Sequence, residues 1–230
     1  MSALTTISYS LIFFGLRKII SNNLIVFLSF VAIIYISFFH GFLTDNFDIY
    51  YQYRPLRILF PALILFSVFT YIINPSKFKY LLIIFISSLA MLWNFDSGVI
   101  CFLSFYIYIL YERLMSNNLK IYALEFFKHT LTSVSILILT FFLYSMIIYF
   151  QSNNFPDWNS YLINPKLFGI TGFFSLPMPI FNAWNFIFLV YLYGIYIGIN
   201  SILFNKIDSL DKVAFFVSIF GFGISSYYLN

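Results

Sequence analysis

Charge is what this chain has least of: twelve Lys and Arg and eight Asp and Glu in 230 residues, or 9%. A soluble globule of that length needs far more polar surface to face water. With 62% hydrophobic residues and a mean hydropathy of +0.92, lipid is the solvent the chain calls for. Cys101 is the only cysteine, so no disulfide can form within the chain and redox chemistry has no partner thiol. Asn-x-Ser/Thr acceptors, phosphate-cradling glycine loops and His/Cys clusters of zinc spacing are all missing, which removes ATPases and zinc enzymes. No basic region precedes the first apolar run, since Arg17 and Lys18 follow it, so no secretory signal peptide is read.

What is present is a series of apolar stretches, at about 4–16, 24–41, 58–73, 80–93, 99–111, 130–150, 183–203 and 213–229. Several approach the ~20 residues that cross a hydrocarbon core, and they are apolar on every face, unlike the alternating strands of a membrane barrel. The expected fold is all-α: a polytopic integral membrane helical bundle of seven to eight hydrophobic segments, with a short helical hairpin at 80–111. The expected organisation is one transmembrane domain, 1–230. Both ends look cut from something longer, because the first run is short for a span and the last reaches Asn230 with no tail.

The links between segments alternate in charge. Arg17, Lys18, Lys77, Lys79, Arg113, Lys120, Lys128, Lys206 and Lys212 fall in every second link, whereas the others hold only Arg54, Arg57 and Lys166. Nine against three is the positive-inside pattern and assigns the first set to the cytoplasm. His40, Asp45, Asp48, Arg54, Arg57, Asp96, Asp157 and Trp158 then all face outward. The net charge of +4 is accounted for by this anchoring. No aromatic-basic recognition module accompanies it, so nucleic acid is not an expected partner. Glu112, Arg113, Glu125 and His129 read as solvated residues of a cytoplasmic link.

Asp96 is the only formal charge between Tyr80 and Tyr111, inside Trp93-Asn94-Phe95-Asp96-Ser97-Gly98. A charge at membrane depth costs roughly 2.5–3.5 kcal/mol on insertion scales, so it usually pairs, lines a wet cavity or serves chemistry. Splitting the stretch at Asn94–Gly98 leaves arms of 14 and 13 residues, each about 20 Å long and short for a crossing. Gly98 would ease the turn, while Asn94 and Ser97 could cap freed backbone groups. Asp96 is then either a ligand or catalytic group in a recessed pocket, or part of a capping turn at the surface.

Further candidates precede it. Asp45 and Asp48, three apart, would share a helical face and could hold a divalent cation or act as a base. Arg54 and Arg57 repeat that spacing, and their forked guanidinium groups suit a phosphate or diphosphate. The plainer reading is an interfacial belt of Tyr50, Tyr51 and Tyr53, with the arginines pairing the two acids. The link 151–181, punctuated by Pro and Gly, is a lid, a re-entrant loop or a structured connector. Gly194-Ile195-Tyr196-Ile197-Gly198 permits close helix approach and reads as internal packing, with a homodimer face as the lesser option.

In order, Tyr53-Arg54-Pro55-Leu56-Arg57, Trp93-Asn94-Phe95-Asp96-Ser97-Gly98, Gly172-Phe173-Phe174-Ser175-Leu176-Pro177-Met178-Pro179 and Tyr227-Tyr228 resemble a segment of large bacterial multi-span proteins of the glycosyltransferase C superfamily. The resemblance spans about residues 50–230, and the joint order of the motifs carries it. It implies a membrane-embedded enzyme, or a portion of one, that takes sugar from a polyprenyl-phosphate carrier at the outer face during cell-envelope glycan assembly. The implied setting is the bacterial inner membrane. By that resemblance Asp96, Asp45 and Asp48 are the catalytic candidates, and Arg54, Arg57, Asn94 and His40 the substrate-binding ones. The family keeps an essential acidic residue in its first external loop, and no long first external loop is evident here. The alternatives are a flippase or transporter for lipid-linked oligosaccharides, a repeat-unit polymerase, or a non-catalytic membrane scaffold fragment.

Overall fold

The structure, a computed structural model, describes residues 2–35, 54–116, 119–163, 166–167, 184–204 and 208–228. Every regular element among them is a helix: α1 Ser2–Ile19, α2 Asn23–Ile34, α3 Arg54–Ile73, α4 Lys77–Trp93, α5 Phe95–Ser116, α6 Leu119–Ser152, α7 Trp158–Tyr161, α8 Trp184–Phe204 and α9 Ser209–Tyr228. Four of these are long and apolar enough to cross a membrane, over Leu56–Ile73, Phe95–Leu114, Ile121–Ser152 and Asn185–Phe204. The fold is that of a helical integral membrane protein.

The expected seven to eight hydrophobic segments therefore give way to four candidate spans among the described residues, although each segment is helical where it is described. Physical reasons differ by element. Hydroxyl side chains thread α1, which closes on Arg17 and Lys18; α2 is apolar but has 12 residues; α4 has 17. Asp211 and Lys212 stand in the first turn of α9. Basic residues at the end of α1 oppose the negative pole of its dipole, and Asn22 starts α2 by accepting from Leu24 N–H at 2.9 Å and Ile25 N–H at 3.4 Å.

The chain divides into two compact units, Met1–Ile83 and Ile84–Asn230, with the division inside α4. In the first, α1 packs on α3. Ser8 and Tyr9 of α1 are buried, as are Ala62, Ile64, Val68 and Phe69 of α3. Gly15 brings the helices together: a methyl there would lie 3.2 Å from the Phe69 ring. Lys18 sets its ammonium 5.5 Å from the centre of the Phe66 ring. Pro61 stands inside α3 with no N–H of its own to donate, which membrane helices tolerate. The end of α3 is closed by Lys79, whose Nζ donates to the carbonyls of Thr70 at 3.2 Å and Asn74 at 2.6 Å.

In the second unit, α5 buries Cys101, Phe105, Tyr108 and Ile109, spaced by four, three and one residues along one helical stripe. Phe215, Phe216 and Phe220 of α9 are buried too, and Tyr108 meets Phe216 edge-on at 5.8 Å while Tyr111 stacks on Phe215 at 4.0 Å. Close packing of α8 on α9 follows from glycine: a methyl on Gly194 would sit 2.0 Å from Ser218 Oγ, and one on Gly198 2.3 Å from the Phe215 ring. Internal packing, as expected for this small-xxx-small pair, is what the two glycines provide. Lys212 of α9 pairs with Glu112 of α5 at 3.1 Å, and Ser201 of α8 donates to Asp211 of α9 at 2.8 Å.

The longest helix, α6, has 34 residues and measures about 51 Å, well beyond a ~30 Å hydrocarbon core. Its buried residues are His129, Ser133 and Thr140, which share one stripe, and large apolar side chains cover the rest. His129 corrects the sequence reading: it is 4% exposed rather than solvated. Its ring stacks on Tyr106 at 4.7 Å, Nε2 donates to the Tyr106 carbonyl at 3.3 Å, and Nδ1 faces Ser133 Oγ at 3.5 Å. Because a carbonyl only accepts, that contact assigns the ring proton to Nε2. Glu112 is likewise paired rather than solvated, and Glu125 bonds Lys128 at 3.1 Å with Arg113 at 3.9 Å.

Candidate functional site

The Asp96 turn is built from a single-residue break. Asn94 ends α4 by donating its N–H to the Ala90 carbonyl at 2.9 Å, and starts α5 by accepting from Gly98 N–H at 2.8 Å. Both backbone groups of Asn94 are thus spent on the joint. The expected short hairpin with a five-residue turn is corrected to arms of 17 and 22 residues. Gly98 lies inside α5 rather than in a turn. Its role is close approach: a methyl on it would stand 2.3 Å from Met91 N and 2.4 Å from Ala90 C, both backbone atoms of α4. Asp96 falls in the first turn of α5, where the helix dipole favours a negative charge.

A helix break leaves carbonyls without their usual donors. In an unbroken helix the Met91 carbonyl would accept from residue 95. Here the Tyr161 hydroxyl donates to it from α7, on the link between α6 and α8. This link is a structured connector at its start. Asn153 ends α6 in the left-handed region, φ 57°, which asparagine tolerates. Pro156 follows, and Asp157 caps α7 by accepting from Asn159 N–H at 3.0 Å, Ser160 N–H at 3.3 Å and Ser160 Oγ at 2.6 Å. Those hydrogen bonds, the Ser160 hydroxyl first, hold the Asp157 carboxyl below its ordinary pKa.

Aromatic rings line this place. Tyr161 meets Phe95 edge-on at 6.0 Å and Trp158 edge-on at 5.6 Å; Trp158 in turn lies 5.2 Å from Phe141 and 6.0 Å from Tyr144 of α6. Burial, then the negative charge of Asp96, pushes the Tyr161 phenol up to about 12. A partly exposed carboxylate within electrostatic reach of the Tyr161 phenol, and a hydroxyl closing a broken helix, form the arrangement at this end of the second unit.

Among the other expected site residues, Arg57 is exposed in the first turn of α3, in the first unit. Arg54 is the first residue of that helix. His40, Asp45 and Asp48 lie outside the described residues, as does the 172–179 motif, so the divalent-cation reading placed on the two acids lies there as well. Among the described residues no group of three or more His, Cys, Asp or Glu side chains gathers that could hold a metal ion. Sequence reasoning missed Tyr161 and the ring wall. Only the tertiary fold reveals that residue 161 reaches a carbonyl 70 positions earlier. No family model matches the chain, and no curated protein or solved structure is similar to it.

Proposed function

We propose that this protein, or the larger protein it is part of, handles a polyprenyl-phosphate-linked sugar at the outer membrane face, as a glycosyltransferase-like element of cell-envelope glycan assembly. The observation that supports this reading is the Asp96 carboxylate in the first turn of α5, within electrostatic reach of Tyr161, whose ring meets those of Phe95 and Trp158. Sugar rings offer hydroxyl groups to a carboxylate and C–H faces to aromatic planes, and lipid-linked sugars arrive from the bilayer in which these helices lie.

In that reading Asp96 orients or deprotonates the acceptor hydroxyl. Asn94, its backbone committed to the helix joint, contributes through its side-chain amide. The test is Asp96→Asn in the intact protein at normal expression. The amide keeps the shape of the turn and removes the charge, so glycan assembly should fall about 100-fold or more if Asp96 is the general base. Unchanged assembly would withdraw Asp96 from the chemistry. Retained binding of a lipid-linked sugar, with no transfer in either form, would favour the flippase.

A further inference from the structure

We propose that the hydrogen bond from Tyr161 to the Met91 carbonyl is a latch that holds α7 against the joint of α4 and α5 that leads into Asp96, and that its release exposes this partly exposed turn further to the outer solution. The inference concerns the site proposed above; what the open site admits rests on the lipid-linked sugar reading, whereas the latch does not. Three features carry it. The acceptor exists because the helix breaks at Asn94, so the latch engages the joint that presents Asp96. The element bearing the donor is only four residues long and caps itself through Asp157, so it can move as one piece without losing its own hydrogen bonds. Its two ends are fastened differently.

At the Trp158 end the fastening is ring packing on Phe141 and Tyr144 of α6, which is non-directional and survives small rotations. Tyr161 itself is held by a directional bond, with the edge contact to Phe95 beside it. A directional bond is lost within a short displacement. Opening is therefore a swing about Trp158 that lifts Tyr161 from Met91 and Phe95. Asn159 and Ser160, between the two fastenings, are exposed and impede nothing. Phenol and carboxylate stay close enough in the closed form for the charge of Asp96 to act on Tyr161.

The test uses the full chain in lipid nanodiscs. Cys101→Ala removes the one native thiol, which is buried, and Ser97→Cys places a reporter beside Asp96 on the partly exposed first turn of α5. The rate of reaction with a charged maleimide is compared with and without Tyr161→Phe, which keeps the ring and deletes the donor. Loss of one hydrogen bond of ordinary net strength predicts labelling faster by roughly five- to tenfold. Equal or slower labelling overturns the latch. Tyr161→Leu serves as a second variant, and whichever form keeps the parent's elution profile and circular dichroism is decisive. Binding of a short-chain polyprenyl-phosphate sugar is measured on the same proteins. Faster labelling without binding retires the sugar reading and leaves the latch; binding with unchanged labelling does the reverse.

Discussion

At Gly98 the identity of one side chain decides whether two helices can meet end to end. An added methyl would meet Met91 N at 2.3 Å and Ala90 C at 2.4 Å, and backbone atoms inside a helix cannot swing aside as a side chain can. Gly98→Ala should therefore cost at least the 1–3 kcal/mol typical of overpacking, although alanine is the better helix former. Thermal unfolding in detergent checks this, and an unchanged or raised midpoint would sink the close-approach account. Tyr161 carries a prediction in pH. Its pKa rises from 10.0 to about 12 in the fold, so between those values the unfolded chain loses this proton first. Stability from Tyr161 is intact below pH 10.0 and declines as pH climbs towards about 12, where a phenolate can no longer donate to Met91. Alkaline unfolding of Tyr161→Phe should lack that part of the decline, and identical curves would remove it. Asp96 was legible from sequence because a single charge in a long apolar run is conspicuous; Tyr161 was not, among 19 tyrosines. His129 was misread for a related reason: its neighbours Lys128 and Glu125 are polar, and only the Tyr106 stack shows which face it takes.

Elements repeat this contrast between local and tertiary information. Apolar runs of helical length are local, so α3 and α8 were legible as long apolar helices within a few residues at their ends, whereas α6 begins 11 residues before its expected start at 130 and α5 was read as a short arm. The one-residue joint between α4 and α5 was not legible, because Asn-Phe-Asp-Ser-Gly has the composition of a turn and only the packing of Gly98 shows that it continues as helix. Glycines 194 and 198 were legible as a packing pair but not as to partner. The partner proves to be α9, where Ser218 is buried beneath Gly194. Gly194→Ala should destabilise this helix pair by about 1–3 kcal/mol, since its methyl would fall 2.0 Å from Ser218 Oγ. Adding Ser218→Gly removes the nearest obstructing atom and should recover part of that loss, leaving 0.5 kcal/mol or more of coupling in a double-mutant cycle. Strict additivity would mean that the two positions do not touch.

Across the whole molecule, the distribution of basic residues and the lengths of the helices set a constraint that falls on α4. This helix has 17 residues, about 26 Å, at the lower limit of what crosses a membrane. Lys77 and Lys79 stand at its start, and the next candidate span, Phe95–Leu114, leads to Arg113 and then Lys128. If every basic link lies on one side, two crossings must separate Lys79 from Arg113, and α5 supplies only one of them. The other has to be α4, with Trp93 as the interfacial anchor at its far end and the lysine stems snorkelling at the near one. Should α4 instead lie along the surface, the Asp96 turn would share a side with Lys79, and Arg113 and Lys128 would face outward against the charge rule. Ser76→Cys and Ser97→Cys, each with Cys101→Ala, separate the two arrangements. In right-side-out vesicles an impermeant thiol reagent should label position 97 at once and position 76 only after permeabilisation. Labelling of both from the same side would show that α4 does not cross, and would turn the Asp96 turn away from the face on which a lipid-linked sugar is proposed to arrive.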